Sequence, residues 1–581
     1  MKTDIINLVK LGLQEVPELT EFLDDQIAEN AVERTKDLVH GDFSSNIAMR
    51  FAKVTKNNPR DLASIIIKKI PKNNLVKKIE IAGPGFINFH MSDAAFHQEI
   101  SKIIDIDDLY GKHPGKRKGK ILLEFVSANP TGPLHVGHGR HAAYGATLGN
   151  ILNAAGYEVK REYYVNDAGR QMDILCVSVI IRILESNNPD LIMPAAGYLG
   201  DYIKIIAESI DEKIDNTLSE IILQLQNGDN AQDKEQYIDA IIQSAKEILG
   251  IEKFSVIKQT SLESIRFDIE EDLNEFGVTF DSWFSENSLA EQGHIKKILS
   301  LLKDKELLYK KDGAIWFKAT DFDDEKDRVV TRENKNNTYF TSDIAYHHNK
   351  KLRGFDHLID ILGSDHHGYI ARVRAGLVAM GHQASDLEVE LVQFVSLFRA
   401  GEKQSMSTRS GEFITLRQLR EEVGNDAARF FYIMRSNEQH LDFDLELAKS
   451  KSNENPVYYI QYAHARIASV FRQLEEKRFL YDEQKGKDNL SLLITKKEKL
   501  IMSTLSRFPE IIELSANNRA PHNLAQYLRD LANEFHSYYN DSIFIVEDEK
   551  IRNARMLLIK ATQTIIKSGL ELLGVSSPKS M

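Results

Sequence analysis

Two copies of one pattern constrain the fold of this chain more than any other feature. Each copy has a short apolar run, a loop with Gly or Pro, and a helix. The runs are 121–126 and 357–362, and the helices are expected over 137–155 and 369–380. Such runs are typical of parallel strands buried on both faces, and 387–395 is a further candidate strand. Strands that alternate with helices indicate a doubly wound, Rossmann-like parallel sheet, which binds ligands at the carboxyl ends of its strands.

The pattern divides the chain of 581 residues into three predicted domains. A small α+β domain is expected over 1–110, because residues 78–89 alternate like two strands around a Gly-Pro-Gly turn. The doubly wound domain is expected over 111–425. A strand-poor, acidic stretch at about 187–290 is predicted to be a helical insertion in that domain. An α-helical bundle without strands is expected over 426–581.

The bundle is predicted from two apolar stripes at helical spacing. One stripe follows Pro521, which suits the first turn of a helix, and the other ends before Gly574, which suits a helix C-terminus. The stripes consist of Leu524, Leu528, Leu531, Phe535 and Tyr538, and of Leu557, Ala561, Ile565 and Leu572. A bundle of this size is typical of a module that docks a large partner.

The composition is that of a globular protein, with 42% hydrophobic and 28% charged residues. A single cysteine, Cys176, rules out a disulfide within the chain and fits a reducing compartment. The sequence shows neither a run of 18 apolar residues nor a signal-peptide pattern, so we expect a cytoplasmic protein without a membrane segment. The net charge of −12 argues against non-specific coating of nucleic acid. The basic stretch 112–120 could bind phosphates or serve as a solvated linker.

The sharpest motif, HVGH at 135–138, follows the first apolar run and opens a helix. The unpaired N–H groups and the dipole of a helix start attract anions. Because His135 and His138 are three residues apart, they share one helical face and can donate hydrogen bonds to phosphate oxygens in a transition state. Gly137 allows a ligand to approach the backbone closely.

Other interpretations of this motif stay open from the residues alone. A P-loop is excluded, because His138 stands where the lysine must be. A zinc site is an alternative, since His135, His138 and His141 are helically spaced and residues 365–367 (DHH) add further ligands. Histidines without a functional role are the third interpretation.

Motifs along nearly the whole chain, in order, resemble arginyl-tRNA synthetases. The stretch 133–138 (PLHVGH) is similar to the first signature of class I aminoacyl-tRNA synthetases. The motifs that resemble the arginyl family are 41–46 (GDFSSN), 83–88 (GPGFIN), 124–129 (EFVSAN), 163–171 (YYVNDAGRQ), 339–343 (YFTSD), 363–369 (GSDHHGY), 426–429 (DAAR) and 572–581 (LLGVSSPKSM).

The resemblance implies an activity, partners and domain roles. The doubly wound domain would activate L-arginine with ATP and Mg²⁺ to arginyl-adenylate and transfer it to tRNA(Arg), and activation would require bound tRNA. The N-terminal domain would bind tRNA, and the bundle would bind the anticodon. The resemblance implies no tightly bound cofactor and no resident metal. We expect a monomer that does not bind a membrane.

The resemblance also assigns residues. Catalytic roles fall to His135, His138, Lys403 and Arg409. ATP would be bound by His135, Gly137, His138, Gly363, Asp365, His366, His367, Met406 and Ser407. Arginine would be bound by Glu124, Ser127, Asn129, His135, Tyr339 and Asp343, because a guanidinium requires carboxylates and other acceptors. The alternative for Asp343 is a helix N-cap. tRNA would contact Phe86, Asn88, Tyr459, Tyr462 and Met581, whose alternatives are core or terminal positions.

One motif departs from the family pattern. The second class I signature, Lys-Met-Ser-Lys-Ser, corresponds here to 401–411 (GEKQSMSTRSG), where Ser405 and Thr408 replace the two lysines. Lys403 and Arg409 are the nearest replacements, and either could equally be a solvated loop charge. Some arginyl enzymes lack the standard loop and are active, so activity is expected. The alternatives are a non-catalytic tRNA-binding relative, a nucleotidylyltransferase that uses the same histidine motif, and a zinc hydrolase.

Overall fold

The computed structural model describes residues 1–22, 31–35, 37–113, 118–211, 214–227, 233–404 and 413–581. Its N-terminal region is an antiparallel sheet in the order β1-β2-β4-β3. The strands are β1 (Val32–Arg34), β2 (Phe43–Ser45), β3 (Val76–Ala82) and β4 (Phe86–Met91), and the helices are Lys2–Gln14, Ile47–Thr55, Pro59–Lys69 and Asp93–Ile106. The hairpin predicted around the Gly-Pro-Gly turn is confirmed, since β3 and β4 pair antiparallel.

A five-stranded parallel sheet forms the centre of the chain, in the order β12-β11-β5-β6-β7. Its strands are β5 (Lys120–Glu124), β6 (Glu158–Val165), β7 (Ser282–Ser285), β11 (His357–Gly363) and β12 (Leu387–Val392). The helices between them include Val136–Ala154 (the signature helix), Arg170–Glu185, Tyr339–Leu352 (the pocket helix) and Tyr369–Ala379. The predicted doubly wound sheet is confirmed.

The predicted insertion contains the helices Asp201–Ser209, Asn216–Gln226 and Lys234–Glu275. The last helix is kinked at Gly250, whose φ is 74°. Contrary to expectation, the stretch 187–290 also contains β7, which pairs with β6 at the edge of the central sheet. The four residues of β7, SWFS, neither alternate between apolar and polar nor form an apolar run, and in the structure all four are half-buried.

Two small sheets were not expected. β8 (Leu308–Lys311), β9 (Ala314–Phe317) and β10 (Arg328–Thr331) form an antiparallel sheet beside the helices Glu286–Glu291 and His294–Asp304. The candidate strand 387–395 is two strands, because the chain leaves β12 at Gln393 and starts β13 (Val395–Arg399) in another sheet. β13 pairs with β14 (Glu402–Lys403) and with β15 (Leu441–Asp444). β15 corrects the expectation of no strands after 425. Its residues alternate, with Leu441 and Phe443 buried and Asp442 and Asp444 exposed, and this short alternation is the signal that the sequence prediction missed.

The C-terminal region is otherwise helical. Its helices are Leu416–Val423, Asn425–Ile433, Leu445–Lys449, Pro456–Glu476, Glu483–Asp488, Lys496–Leu505, Phe508–Asn517, Pro521–Asp541 and Glu549–Leu573. Both predicted apolar stripes are buried, and Gly574 ends the last helix with a left-handed φ of 67°. The predicted multidomain α/β class with a helical C-terminal region is confirmed. No helix in the described ranges has the length and apolar character needed to cross a membrane.

Candidate active site

The candidate site lies where the strand order of the central sheet reverses. From β5 the chain proceeds through β6 to β7 on one side, and β11 and β12 lie on the other. Glu124 of β5 is paired with Asp360 of β11, so the loops that follow both strands meet at one edge. Ligands of doubly wound sheets bind in this crevice. The structure therefore brings together the two loops that the sequence predicted to form one site.

The two signature histidines cap the start of the signature helix. Nδ1 of His135 accepts hydrogen bonds from the backbone N–H groups of Gly137 (3.1 Å) and His138 (3.4 Å). Nδ1 of His138 accepts the N–H of His135 at 3.3 Å, and the two rings stack with centroids 3.6 Å apart. Because both Nδ1 atoms are acceptors, the proton of each neutral ring must be on Nε2. Both rings therefore offer Nε2–H donors.

Burial keeps both imidazoles neutral. It lowers the pKa of His135, and it lowers the pKa of His138 further together with the proximity of His135. A Cβ at Gly137 would lie 2.9 Å from Cε1 of His135, so any other residue there would displace the ring. Gly137 thus serves the placement of His135, a reason that differs from the close ligand approach predicted from the sequence.

The second loop faces the signature helix. It contains Gly363, Asp365, His366 and His367, of which the last three are exposed. Burial, mainly, lowers the pKa of His141 to about 4; Asp365 opposes this shift and His366 adds to it, so both lie close to that helix. A Cβ at Gly363 would lie 2.5 Å from Oδ1 of Asp365.

Histidines and carboxylates in this crevice do not form a metal centre. In the part of the chain that the structure describes, no group of three or more His, Cys, Asp or Glu side chains could hold a metal ion. His135 and His138 direct their Nδ1 atoms at the backbone. The zinc alternative therefore has no ligand set among the described residues.

Two carboxylates, Asp343 and Glu286, interact with each other near the carboxyl edge of the central sheet; Glu286 is 6% exposed and Asp343 is half-buried. Burial raises the pKa of Asp343 to about 6 and the pKa of Glu286 to about 7, and Asp343 contributes to the shift of Glu286. Asp343 is hydrogen-bonded to Tyr369, and Glu286 to Ser342 and Tyr164. Neither carboxylate has a salt bridge within the described ranges. Arg372 partly opposes the rise in the pKa of Asp343. A pair of largely buried carboxylates without a salt bridge is suited to binding a cation.

Asp343 lies inside the pocket helix, whose N-cap is Thr338, so the alternative that Asp343 is an N-cap is wrong. Tyr339 begins this helix and is 60% exposed. Its hydroxyl would lie 3.4 Å from a Cβ at Gly169, in the motif 163–171. Tyr339 and Asp343 are one turn apart and therefore share a helical face.

Glu286 is the site residue that sequence reasoning missed. It directly follows β7, so it lies at the carboxyl end of a parallel strand, like Glu124 and the loop after β11. The feature that could have indicated Glu286 is its position at the edge of the sheet where ligands bind. That signal was hidden because the four residues of β7 did not indicate a strand.

Glu124 is placed differently from what the sequence suggested. Its Oε2 accepts a hydrogen bond from Nζ of Lys350 at 2.5 Å, and the same ammonium donates to Asp360 at 2.7 Å. Lys350 is fully buried and lies two turns after Asp343 on the pocket helix. One ammonium therefore faces two carboxylates, and burial, mainly, raises the pKa of Glu124. The contact of Glu124 with a guanidinium stays a prediction.

Ser127 and Asn129 line the loop after β5. Oγ of Ser127 donates to Oε1 of Glu124 (3.0 Å) and accepts the N–H of Tyr164 (3.1 Å), which leaves one lone pair for a ligand. Ser127 has a φ of 40°, and such left-handed conformations of non-glycine residues occur at functional sites. Asn129 is exposed and accepts a hydrogen bond from Asn166 at 3.1 Å.

The second signature lies mostly outside the described residues. This applies to Ser405, Met406, Ser407, Thr408 and Arg409. Lys403 is exposed on β14, opposite Phe398 of β13. The chain that follows returns to the first signature, since Leu416 donates its N–H to the carbonyl of Leu134 at 2.8 Å.

Comparisons with known proteins agree with this arrangement over the whole chain. The model of the class I (R) tRNA synthetase catalytic domain matches residues 99–453, that of the arginyl tRNA synthetase N-terminal domain matches 5–91, and that of the DALR anticodon binding domain matches 460–581. This chain belongs to the arginyl-tRNA synthetase family. The arginine–tRNA ligases of Thioalkalivibrio sulfidiphilus and Legionella pneumophila (strain Corby) are 50% and 51% identical to it, with 100% of each chain covered.

Solved arginyl-tRNA synthetases share the fold of this synthetase. The structure from Thermus thermophilus has a TM-score of 0.74 at 21% identity and covers 100% of both chains. The structure from Plasmodium falciparum has a TM-score of 0.70 at 17% identity and covers 100% of this chain and 99% of its own.

The N-terminal residues predicted to contact tRNA differ in accessibility. Phe86 is 37% exposed at the start of β4. Asn88 is only 3% exposed, and its Oδ1 accepts a hydrogen bond from Ser44 at 2.7 Å. β4 is an inner strand, with β2 and β3 on either side, and Asn88 is paired with Ser44 of β2 and with Glu80 of β3. A contact between the Asn88 side chain and RNA would require its neighbours to move.

Met581, one of the bundle residues predicted to contact tRNA, lines a cavity of about 530 Å³, whereas Tyr459 and Tyr462 are not part of its lining. Tyr458, Gln461 and Met581 line this cavity, with Met581 52% exposed. Tyr462 stacks on Tyr458, and Tyr459 donates to Asn533 at 3.4 Å. The synthetase's C-terminal segment is held in place, because Gln461 donates to the carbonyl of Ser576 and Arg472 to that of Lys579. Tyr458 was not predicted from the sequence.

Proposed function

We propose that this synthetase is an arginine–tRNA ligase that uses the crevice between β5 and β11 for both of its reaction steps. In the first, the carboxylate of L-arginine attacks the α-phosphorus of ATP, which enters as its Mg²⁺ complex, and pyrophosphate leaves. In the second, the 2′-hydroxyl of the terminal adenosine of tRNA(Arg) attacks the arginyl carbonyl, and AMP leaves. The observation that carries the proposal is that two interacting carboxylates without a salt bridge in the described ranges, and two fixed Nε2–H donors, belong to segments around the carboxyl edge of one parallel sheet.

Arginine recognition follows from the charges of the two carboxylates. The guanidinium enters between Asp343 and Glu286, with the hydroxyl of Tyr339 at the rim. Its planar fork of donors suits two carboxylates. The free lone pair of Ser127 accepts a hydrogen bond from the α-ammonium group, and the exposed Asn129 binds the same end of the substrate. Glu124 stays paired with Lys350 and orients Ser127.

The triphosphate lies over the start of the signature helix. His135 and His138 donate from Nε2 to the oxygens of the reacting phosphorus as their charge grows. Gly363, Asp365, His366 and His367 form the binding site of the adenosine. Lys403 and Arg409 supply the positive charge that Ser405 and Thr408 lack, with Met406 and Ser407 in the same segment.

The tRNA binds across all three predicted domains. Phe86 and Asn88 belong to the N-terminal contact, and Tyr459, Tyr462 and Met581 belong to the anticodon contact, where unstacked bases lie on aromatic rings. Bound tRNA is required for arginine activation. The monomeric state, the cytoplasmic location and the domain boundaries at 110 and 425 stay predictions.

An aminoacylation assay with purified protein, total tRNA and labelled arginine tests the proposal. We expect arginine but neither citrulline nor lysine to be attached, because each analogue leaves buried acceptors unpaired. ATP–pyrophosphate exchange is expected only with tRNA, and exchange at full rate without it would contradict that requirement. Binding of tRNA without arginylation would instead support the non-catalytic relative. Adenylate transfer to a small acceptor would support the nucleotidylyltransferase.

Arginine binding is expected to strengthen as the pH rises from 6 to 8. The pKa values of Asp343 (about 6) and Glu286 (about 7) are raised by burial, so both carboxyls are partly protonated at low pH and cannot pair with a guanidinium. The fraction of protein with both groups ionised rises about 20-fold over this range. KM for arginine should fall by about that factor and level off above pH 8, and Glu286→Gln should flatten the profile. A KM that is constant from pH 6 to 8 would contradict the pairing.

The same groups predict the sign of the pH effect on stability. Carboxyls whose folded-state pKa is raised stabilise the protein below their unfolded pKa of about 4, and this contribution is lost as the pH rises through 6 and 7. Bound arginine restores this stabilising contribution, because its guanidinium neutralises the ionised pair of carboxylates. The increase in Tm on adding arginine should therefore be larger at pH 8 than at pH 6.

A further inference from the structure

The guanidinium of Arg140 is buried in the signature helix without a carboxylate partner. Arg140 is 1% exposed, and it has no salt bridge within the described part of the chain. It donates to the carbonyls of Gln393, Gln439 and Ser436, each at 2.8 Å. Burial lowers its pKa to about 10. An unpaired buried charge lowers stability relative to an apolar residue of the same size, so stability alone does not account for Arg140.

All three acceptors lie in the segments that lead into two strands of one small sheet. Gln393 lies between β12 and β13, while Ser436 and Gln439 lie in the loop before β15, which pairs in parallel with β13. The guanidinium therefore binds the end at which both strands begin. At its other end β13 turns into β14, which carries Lys403, and Gln404 donates its N–H to the carbonyl of Leu397 at 2.9 Å.

Arg140 thus connects the two phosphate-binding segments of the proposed site. It lies two residues after His138 on the signature helix, and its acceptors hold the strand that leads to the second signature. A second contact on the same side agrees with this connection, since the hydroxyl of Tyr432 donates to the carbonyl of Val136 at 2.8 Å.

We propose that Arg140 is a positioning residue for adenylate formation: it holds the turn that carries His135 and His138 at a fixed distance from β13, so that the two imidazoles and Lys403 of the adjoining β14 reach one triphosphate. This inference rests on the proposed function. It acts through the imidazoles and not on the substrate, so its loss lowers kcat and leaves the carboxylate pair intact. A misplacement of about 1 Å costs about 10²-fold in rate.

The chain offers a matched control in Arg429. This residue is also 1% exposed, burial lowers its pKa to about 10, and it donates only to backbone carbonyls. Its acceptors are Phe276 (2.9 Å), Gly277 (3.2 Å) and Leu573 (3.2 Å), at or just beyond the ends of the helices Lys234–Glu275 and Glu549–Leu573. Among the described residues, none of its hydrogen bonds reaches the signature turn or β13. Replacing Arg429 removes the same kind of buried link at a different place.

ATP–pyrophosphate exchange with saturating tRNA, on full-length R140K and R429K, tests the inference. We expect R140K to lower kcat by about 30-fold with KM for arginine within about threefold of the parent. R429K should lower Tm by about as much as R140K does, and its kcat should stay within about threefold of the parent. R140M, which fills the volume without a buried charge, replaces R140K if the lysine variant does not fold. Parent-like kcat in R140K, or losses in both variants that follow Tm, would overturn the inference.

Hydrogen exchange measures the placement independently of chemistry. In R140K the amides of 136–139 and 395–397 should lose protection together, whereas R429K should leave both segments as in the parent. Unchanged protection in R140K would reject the role of Arg140 even in a protein without exchange activity. If the unsubstituted protein had no exchange activity but the variants showed the expected protection pattern, the proposed function would be rejected instead.

Discussion

Replacing Glu286 with glutamine is expected to lower kcat/KM for arginine by about 10³-fold and to change KM for ATP by less than about threefold. Breaking a buried charge pair by removing one partner costs about 3–5 kcal/mol, which corresponds to a factor of roughly 10² to 10³·⁵. The guanidinium would then have only Asp343 as a partner. Initial rates of exchange at varied arginine, with tRNA and ATP saturating, give the value.

The same substitution should not weaken the fold. Glutamine has the size of glutamate, and Glu286 is an acid whose pKa is raised to about 7 by burial and by Asp343. Above pH 7 its charge therefore destabilises the empty protein, and its removal should keep or raise Tm at pH 8. A variant that is at least as stable and about 10³-fold less efficient would separate binding from folding.

Glu534→Gln is the control for this experiment. Burial also raises the pKa of Glu534 to about 7, but this residue lies in the helix Pro521–Asp541, hydrogen-bonded to Thr504. It should keep kcat/KM for arginine within about threefold of the parent. If Glu286→Gln and Glu534→Gln had equally small effects, the guanidinium would have to bind elsewhere.

Local sequence patterns predicted the parts of the site that depend on neighbours along the chain. The position of His135 and His138 at a helix start follows from a short apolar run, a Pro/Gly loop and a helical stretch, which are all local. The proximity of Tyr339 and Asp343 follows from the helical period. The meeting of the loops after β5 and β11 follows from the rule for doubly wound sheets.

Properties set by the tertiary fold could not be predicted in this way. Glu286 was not predicted as a site residue because β7, which precedes it, is a four-residue edge strand without a hydrophobic pattern. Lys350, which pairs with both Glu124 and Asp360, is two turns from Asp343 on the pocket helix, but nothing in the sequence says which strand that helix covers. Asn88 is 3% exposed and accepts a hydrogen bond from Ser44 of a neighbouring strand. In each case the environment of the residue comes from segments distant in the chain.

Replacing His135 or His138 with asparagine is expected to lower kcat of arginine activation by about 10²–10³-fold, the usual effect of losing one preorganised donor. Asparagine at 135 can still accept the N–H groups at the helix start, so the cap survives and only the Nε2–H donor is lost. KM for arginine should stay within about threefold, because the carboxylate pair is unchanged. Exchange kinetics at saturating tRNA measure both constants.

His141→Asn provides the comparison one turn further along the signature helix. Burial, mainly, lowers the pKa of His141 to about 4, so it is a neutral histidine like the other two, but it does not cap the helix start. Replacement of His141 should lower kcat by less than about tenfold. In the double variant at 135 and 138, the decrease in kcat should be smaller than the product of the two single decreases, because the stacked rings act on one phosphate. Comparable losses at 135 and 141 would refute transition-state donation from the helix start. Since both capping rings are neutral donors, kcat should also not fall as the pH rises from 6.5 to 8. A fall over this range would mean that the protonated imidazolium is the form that donates to the phosphate.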